Sequence, residues 1–248
     1  MQLQMTCSLE NENIPINYRR SCLSLIKTAI EKQDQQKFHE LFDQNVQKYY
    51  TWSVYLKNAV FGKEEIIVPS KELIFNFSTG DAETAVLFQN AFANLIEEEV
   101  PFAKNKVTVL SVVPVTQPLI RKNAAIFRTI SPIVARDHDR ETKKDWYYSV
   151  SQNEEAFVAT LKANTLYKWK NFYGDSLKED LESLVFTPIK MKKTVVQHYE
   201  KYIEASLGTF RLEGEPYLLN LFLKEGIGSI SGSGFGMLEL IEEAAYAD

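Results

Sequence analysis

The 248-residue sequence predicts an α+β protein with two ferredoxin-like (RRM-like) domains in tandem, each built on a split βαβ repeat. Strand-like alternation and helix-like periodicity follow one another in the order strand, helix, strand, strand, helix, strand. That order occurs twice, and the join falls near residues 117–123. We therefore assign residues 1–118 to an N-terminal domain and residues 119–248 to a C-terminal domain.

The first half is predicted from apolar spacing and from one N-cap. Leu73, Phe75 and Phe77 alternate with less apolar neighbours, as in a strand with one buried face. Asp81 is a favoured N-cap for the helix that follows. The predicted elements are strand 2–8, helix 17–32, helix 35–42, strand 49–56, strand 72–78, helix 81–99 and strand 106–115.

The second half repeats this order after a charged loop. Pro216 suits the first turn of a short helix, Lys224 its last turn, and Gly226 its end. The segment 194–205 (TVVQHYEKYIEA) alternates and is predicted to be a strand, with His198 on the face opposite Tyr199. The predicted elements are strand 124–130, a loop to about 148, helix 153–167, two or three strands over 183–213, helix 216–225 and strand 235–241.

Composition favours a cytoplasmic protein without metal or cofactor. No apolar run approaches the roughly 20 residues that a membrane span needs, and the N-terminus lacks a basic region followed by an apolar core. The two cysteines and three histidines show no zinc-binding spacing. The net charge of -5 argues weakly against nucleic acid, but its distribution is uneven. One basic stretch contains Arg121, Lys122, Arg128, Arg136, Arg140, Lys143 and Lys144.

Residues 224–240 (KEGIGSISGSGFGMLEL), here called the glycine-rich segment, contain five of the ten glycines. They follow a predicted helix and precede a strand, so they do not form a dinucleotide fingerprint, and no Gly-Lys-Ser/Thr makes them a P-loop. Two interpretations remain. The backbone N–H groups and the hydroxyls of Ser229, Ser231 and Ser233 can form a nest for phosphate oxygens, or the glycines allow a tight crossing of the chain.

The sequence resembles a known family in several blocks. The run G-I-G-S followed by S-G-F-G-M-L-E resembles the C-terminal glycine-rich motif of the repeat-associated Cas superfamily. It is most similar to the CRISPR-associated endoribonucleases that process precursor CRISPR RNA. FRTISPIVARD (127–137) is similar to the opening strand of that family's second domain, and KYYTWSVYL (48–56) to a strand of its first. The resemblance covers nearly the whole chain.

The resemblance implies metal-independent cleavage in which the RNA 2′-hydroxyl attacks the adjacent phosphorus. Such a reaction needs a base, an acid and positive charge beside the phosphorane. His39 occupies the region of the family's catalytic histidine, although nine positions separate it from Lys48. Lys27 stands where many members have a tyrosine. His39, Lys27 and Lys48 are therefore the candidate catalytic residues, and which of them is acid or base stays open.

The resemblance also implies RNA contacts in the C-terminal domain. The candidates are Arg128, Lys190, Lys192, Lys193, His198, Gly228, Ser229, Ser231, Gly232, Ser233 and Gly234. In the N-terminal domain, Tyr49, Tyr50 and Trp52 can stack on bases or belong to the core. CRISPR repeat RNA is the implied partner, and a Cas effector complex and a second copy of the chain are further candidates. The competing hypotheses are a noncatalytic RNA-binding subunit of such a complex and a generic interaction module.

Overall fold

A computed structural model of the protein describes residues 1–44, 46–139 and 141–244. Backbone contacts divide the chain into two compact units. The first unit comprises Met1–Gln117 together with Gln197–Lys201, and the second comprises the rest of the described chain. In these ranges no helix combines the length and the apolar character that crossing a bilayer requires.

The first unit contains eight strands and three helices among its described residues. They are β1 (Gln2–Leu9), β2 (Asn13–Pro15), α1 (Arg19–Gln33), α2 (Gln35–Phe42), β3 (Tyr50–Leu56), β4 (Val60–Phe61), β5 (Glu65–Ile67), β6 (Glu72–Thr79), α3 (Ala82–Ala93), β7 (Glu99–Phe102) and β8 (Asn105–Val115).

The main sheet of this unit has the strand order β3-β6-β1-β8-β7, with antiparallel neighbours throughout. The second, third, first and fourth strands of the βαββαβ repeat thus lie side by side, which is the ferredoxin-like arrangement. Every second residue of β1 is buried, because alternate side chains of a strand face the same side. Phe77 of β6 stacks on Phe88 of α3 at 4.2 Å, so the sheet and the helix share one aromatic core.

The second unit repeats this plan. Its elements are β9 (Ala124–Thr129), β10 (Ala135–His138), β11 (Asp145–Tyr148), α4 (Glu154–Tyr173), α5 (Ser176–Ser183), β12 (Val185–His198), β13 (Lys201–Glu213), α6 (Pro216–Glu225) and β14 (Leu238–Ala244). The sheet order β12-β13-β9-β14 is again second, third, first, fourth. The predicted tandem ferredoxin-like fold is therefore confirmed.

A glycine fixes the long β12–β13 hairpin at one point. At Gly208, where φ is +143°, an added Cβ would lie 2.0 Å from the carbonyl oxygen of Lys190 and 2.7 Å from the Cα of Met191. No side chain fits in that space. The Gly208 N–H also donates to Thr129 Oγ1 of β9 at 2.9 Å. Three neighbouring strands are thus held together around this residue.

Helix α3 is shorter than its sequence predicts. It ends at Ala93 rather than Glu99, and Asn94 is its C-cap. Glu97 adopts φ = 67°, which is incompatible with a right-handed helix, and its N–H donates to the carbonyl of Val109 at 2.8 Å. The acidic run after the helix therefore leads directly into β7.

Two predictions for the second half are also wrong. The charged loop contains a hairpin, in which β10 pairs with β11 and His138 stands opposite Asp145. The imidazole of His138 lies 2.8 Å from the Asp145 carboxylate, and the aromatic residues Trp146, Tyr147 and Tyr148 of β11 favour a strand. The segment 194–205 is not one strand, because β12 ends at His198 and Tyr199 adopts φ = 54° in a turn. The alternation that placed Tyr199 opposite His198 therefore stops at the turn.

Candidate functional site

The three candidate catalytic residues lie in consecutive elements of the first unit. Lys27 is on α1, His39 is on α2, and Lys48 precedes β3. Asp34 lies between the two helices, as the C-cap of α1 and the N-cap of α2. Its carboxylate accepts a hydrogen bond from the Lys37 N–H at 2.9 Å.

The structure brings Lys27 and Lys48, here called the lysine pair, to one aromatic ring. Their Nζ atoms lie 5.3 and 6.0 Å from the ring centroid of Phe42, at the end of α2. The ammonium group of Lys48 donates to the carbonyl of Val46 at 3.0 Å. Burial lowers the pKa of Lys48, and the charge of Lys27 lowers it further. Two cations are thus held close enough to repel each other.

His39 makes a different set of contacts. Its Nδ1 lies 2.5 Å from Oδ2 of Asp43, the C-cap residue of α2 four positions later. The His39 ring also meets the Phe38 ring edge-on at 5.6 Å. The side chains of His39 and Asp43 are 57% and 58% exposed, so a large ligand can reach the imidazole. No hydrogen bond, ion pair or ring contact joins His39 to the lysine pair within the described ranges.

The lysines of β12 do not all face the same way. Lys190 and Lys192 are exposed and two positions apart, so they project from one face of the strand. Lys193 is half-buried and forms an ion pair with Glu204 of β13. The strand therefore presents two lysines to solvent, and the charge of the third is already neutralised.

Two further RNA-binding candidates also have protein partners. Arg128 of β9 stands opposite Glu239 of β14 and donates from Nε to its carboxylate at 2.9 Å. His198 ends β12, and its ring meets Tyr199 edge-on at 4.7 Å. RNA contact by either residue stays a prediction.

The glycine-rich segment contains a tight crossing of the chain. At Gly236, where φ is +71°, an added Cβ would lie 2.0 Å from the carbonyl oxygen of Ile227. The Ile227 N–H donates to the carbonyl of Gly236 at 2.9 Å, so the two ends of the loop are joined directly. The crossing interpretation of this segment thus has a geometric basis.

Other hydrogen bonds of this segment reduce the number of backbone N–H groups that could bind phosphate. The N–H groups of Ser229, Ser233 and Gly234 donate to the carbonyls of Val134, Ile230 and Ser231 at 2.8–3.0 Å. These donors are occupied inside the protein, and the hydroxyl of Ser231 is buried with its residue. RNA contact by Gly228, Ser229, Ser231, Gly232, Ser233 and Gly234 stays a prediction, without an open row of N–H groups to support it.

A buried lysine lies behind the glycine-rich segment. The side chain of Lys168 on α4 is 4% exposed, and its Nζ donates to the Glu225 carbonyl at 2.9 Å and to Ser231 Oγ at 3.3 Å. Trp169 Nε1 donates to the Glu225 carboxylate at 2.8 Å. Burial lowers the pKa of Lys168 to about 8, and the Glu225 carboxylate acts in the opposite direction. Lys168 therefore connects α4 to the end of α6 and to the loop.

Sequence reasoning missed Phe42, Asp43 and Lys168. Asp43 directly follows the predicted helix 35–42 and is four residues after His39, and this spacing is a signal that could have paired them. Lys168 occupies the buried face of α4 with Phe157 and Leu161, as helical periodicity from those residues would indicate. No sequence signal links Phe42 to two lysines from other elements.

Other aromatic and charged side chains also have clear positions. Tyr50 and Trp52 are each 1% exposed, so the hypothesis that they stack on RNA bases is wrong and they belong to the core. His138 pairs with Asp145 at 2.8 Å on the β10–β11 hairpin. Arg140 lies outside the described residues. No group of three or more potential metal ligands occurs among the residues that the structure describes.

Comparison with known proteins identifies the family. Residues 114–240, more than half of the chain, match the family model "CRISPR associated protein Cas6, C-terminal". A CRISPR-associated endoribonuclease-like protein Cas6 of Pyrococcus furiosus is 34% identical over 122 residues, which are 49% of this chain and 50% of that protein. The chain thus spans about half the length of that relative.

Two further comparisons cover almost the whole chain. The CRISPR-associated endoribonuclease Cas6 1 of Methanocaldococcus jannaschii is 24% identical, over 98% of this chain and 94% of its own. The solved structure of a Cas6-related protein from Pyrococcus furiosus has a TM-score of 0.83 at 24% identity, and the match covers 98% of this chain and 99% of that one. This chain belongs to the Cas6 family of CRISPR-associated proteins.

Proposed function

We propose that this protein cuts the repeat RNA of precursor CRISPR transcripts by metal-independent transesterification. The observation that carries the proposal is the lysine pair beside Phe42, for which no carboxylate partner occurs in the described ranges. Two adjacent cations without a counter-charge favour an anionic ligand, and an RNA phosphodiester is such an anion. Membership of the family, and the endoribonuclease names of its relatives, support the choice of RNA.

The placement of His39 supports its role as the base. It precedes Phe42 by three residues on α2, so both side chains leave the same side of the helix. In the proposed reaction His39 takes the proton of the 2′-hydroxyl, and the 2′-oxygen forms a bond to phosphorus. The bond from phosphorus to the 5′-oxygen then breaks, leaving a 2′,3′-cyclic phosphate and a 5′-hydroxyl.

The lysine pair supplies the remaining chemistry in this proposal. Both ammonium groups stabilise the negative charge that develops on the phosphorane. Lys48 is the better proton donor to the departing 5′-oxygen, because burial and the charge of Lys27 lower its pKa. Each step uses a side chain of the first unit, and none requires a metal ion.

Cleavage should therefore persist when divalent cations are chelated. We expect purified protein incubated with its host's repeat RNA in EDTA to give one defined cut with a cyclic-phosphate end. The end group is identified by its resistance to phosphatase until the cyclic phosphate is opened. Activity that disappears in EDTA and returns with magnesium would refute the mechanism.

The Lys27→Met variant should shift the alkaline limb of the pH–rate profile to higher pH. The positive charge of Lys27 lowers the pKa of Lys48, so its removal raises that pKa and keeps Lys48 protonated in more alkaline solution. The measurement is single-turnover cleavage against pH. Lys32→Met is the matched control, because Lys32 is also on α1 but pairs with Glu98 at 2.9 Å. An alkaline limb that does not shift would show that Lys48 is not the proton donor in the reaction.

The double variant Lys190→Ala/Lys192→Ala should bind repeat RNA with a weaker salt dependence. Each lost contact to a single-stranded phosphate removes about 0.7 from the slope of log K against log salt, so the pair removes about 1.4. Lys193→Ala is the control, and it should change the slope less because Lys193 pairs with Glu204. Equal slopes for the wild type and the double variant would mean that this face of β12 does not contact RNA.

A second candidate function is RNA binding without cleavage, as a subunit of a Cas effector complex. In the first unit, His39 pairs with Asp43, whereas the lysine pair contacts Phe42. The candidate catalytic groups thus have separate partners, which favours binding without cleavage. The cleavage assay in EDTA, combined with a binding measurement on the same samples, separates the two. Tight binding with intact RNA would support the second candidate.

A further inference from the structure

The contact between His39 and Asp43 fixes which nitrogen of the imidazole is available. Nδ1 lies 2.5 Å from Oδ2 of Asp43, and an ionised carboxylate accepts hydrogen bonds but cannot donate them. A neutral His39 in this contact therefore carries its proton on Nδ1, and Nε2 has the free lone pair. The remaining nitrogen is the one that can accept a proton from a ligand.

The rest of α2 leaves this contact undisturbed. The neighbouring carboxylate, Glu40, pairs with Lys37 at 3.0 Å and accepts a hydrogen bond from the side-chain amide of Gln36. The backbone N–H of Asp43 donates to the carbonyl of His39 at 3.1 Å, which fixes the two residues relative to each other independently of the Asp43 side chain. The carboxylate of Asp43 is thus free to hold the imidazole.

We propose that Asp43 is a positioning residue that holds His39 with Nε2 directed to substrate and stabilises the imidazolium formed when His39 takes a proton. The arrangement follows the logic of an acid–histidine pair, in which the carboxylate sets the tautomer and orientation of the base. This inference rests on the proposed function, since it assigns Asp43 a part in the cleavage by His39. Asp43 does not touch the reacting atoms itself.

The test compares Asp43→Asn with the wild type by kinetics and by NMR. We expect kcat to fall about 10- to 100-fold, because an amide can accept from Nδ1–H but carries no negative charge to stabilise the imidazolium, with KM nearly unchanged. Asp43→Glu should recover part of the rate. Glu40→Gln is the matched control on the same helix and should cleave at the wild-type rate.

Long-range ¹H–¹⁵N spectra of the imidazoles give a readout that does not depend on activity. The chain has three histidines, so His138→Gln and His198→Gln identify the signals of His39. We expect the Nδ1–H tautomer in the wild type and its loss in Asp43→Ala, which leaves Nδ1 without the side-chain acceptor, with both proteins melting at similar temperatures.

The outcomes separate this inference from the proposed function. An active wild type with an inactive His39→Ala and a fully active Asp43→Asn would overturn the role of Asp43 and leave the proposed function standing. An Nε2–H tautomer in the wild type would overturn it equally. A wild type that does not cut RNA would overturn the proposed function, and the catalytic role of Asp43 with it.

Discussion

The His39→Ala variant should cut repeat RNA about 10²- to 10⁴-fold more slowly than the wild type, which is the usual contribution of a positioned acid or base. Its affinity for the same RNA should hardly change, because His39 contributes one exposed side chain on α2 and the proposed phosphate contacts lie elsewhere. The measurement is single-turnover cleavage beside equilibrium binding.

The chain offers a matched control for this variant. His138 also pairs with an aspartate, Asp145, at 2.8 Å, but on the β10–β11 hairpin of the second unit. His138→Ala should cleave at the wild-type rate. A His39→Ala protein that is as fast as the wild type would instead show that another group removes the 2′-hydroxyl proton, and Lys27, Lys48 and His198 would be the next to test.

The Lys168→Met variant should lose about 3–5 kcal/mol of unfolding free energy, the cost of breaking a buried ion pair by removing one partner. It leaves the Glu225 carboxylate buried with Trp169 Nε1 as a donor, and it removes the bond to Ser231. Denaturant unfolding measures the loss. Lys170→Met is the control, since Lys170 is an exposed lysine on the same helix and should cost little.

Two further measurements decide whether the Lys168 charge is responsible. Because its pKa is about 8 in the folded protein and about 10.4 in an unfolded chain, the unfolded state binds more protons between these values. The stability of the wild type should therefore rise with pH across this window relative to that of Lys168→Met. The double variant Lys168→Met/Glu225→Gln should regain much of the lost stability. A Lys168→Met variant as stable as the wild type would show that the Lys168–Glu225 pair contributes nothing to the free energy of unfolding.

Much of the fold could be predicted because its elements follow local rules. Asp81 caps α3 as expected, and Pro216 and Gly226 bound α6 as expected. The errors arose where a single backbone angle or a cross-strand contact decides the outcome. The left-handed conformation of Glu97 ends a helical pattern early, and that of Tyr199 makes a turn inside an alternating segment. Neither glutamate nor tyrosine favours a positive φ, so the sequence does not predict these two conformations.

The candidate site could be predicted less completely. The family resemblance points to His39, Lys27 and Lys48, but the contact of both lysines with the ring of Phe42 depends on how α1, α2 and the start of β3 pack. In the glycine-rich segment, the sequence overstates how many backbone N–H groups are available to a ligand. Its composition suggested open N–H groups, and only the fold shows that several of them are bonded within the protein.

The packing at Gly208 has a consequence for redesign of the hairpin. Because no side chain fits between Gly208 and the backbone of Lys190 and Met191, insertions or exchanges at that level would separate the strands. The residues between Met191 and Leu207 lie beyond it, toward the turn. Ile203, Ala205 and Ser206 in this portion are buried in the second unit, so they must be retained with the base. Chimaeras that exchange only the residues nearer the turn should keep the sheet intact, and the length and charge of the turn can then differ between relatives.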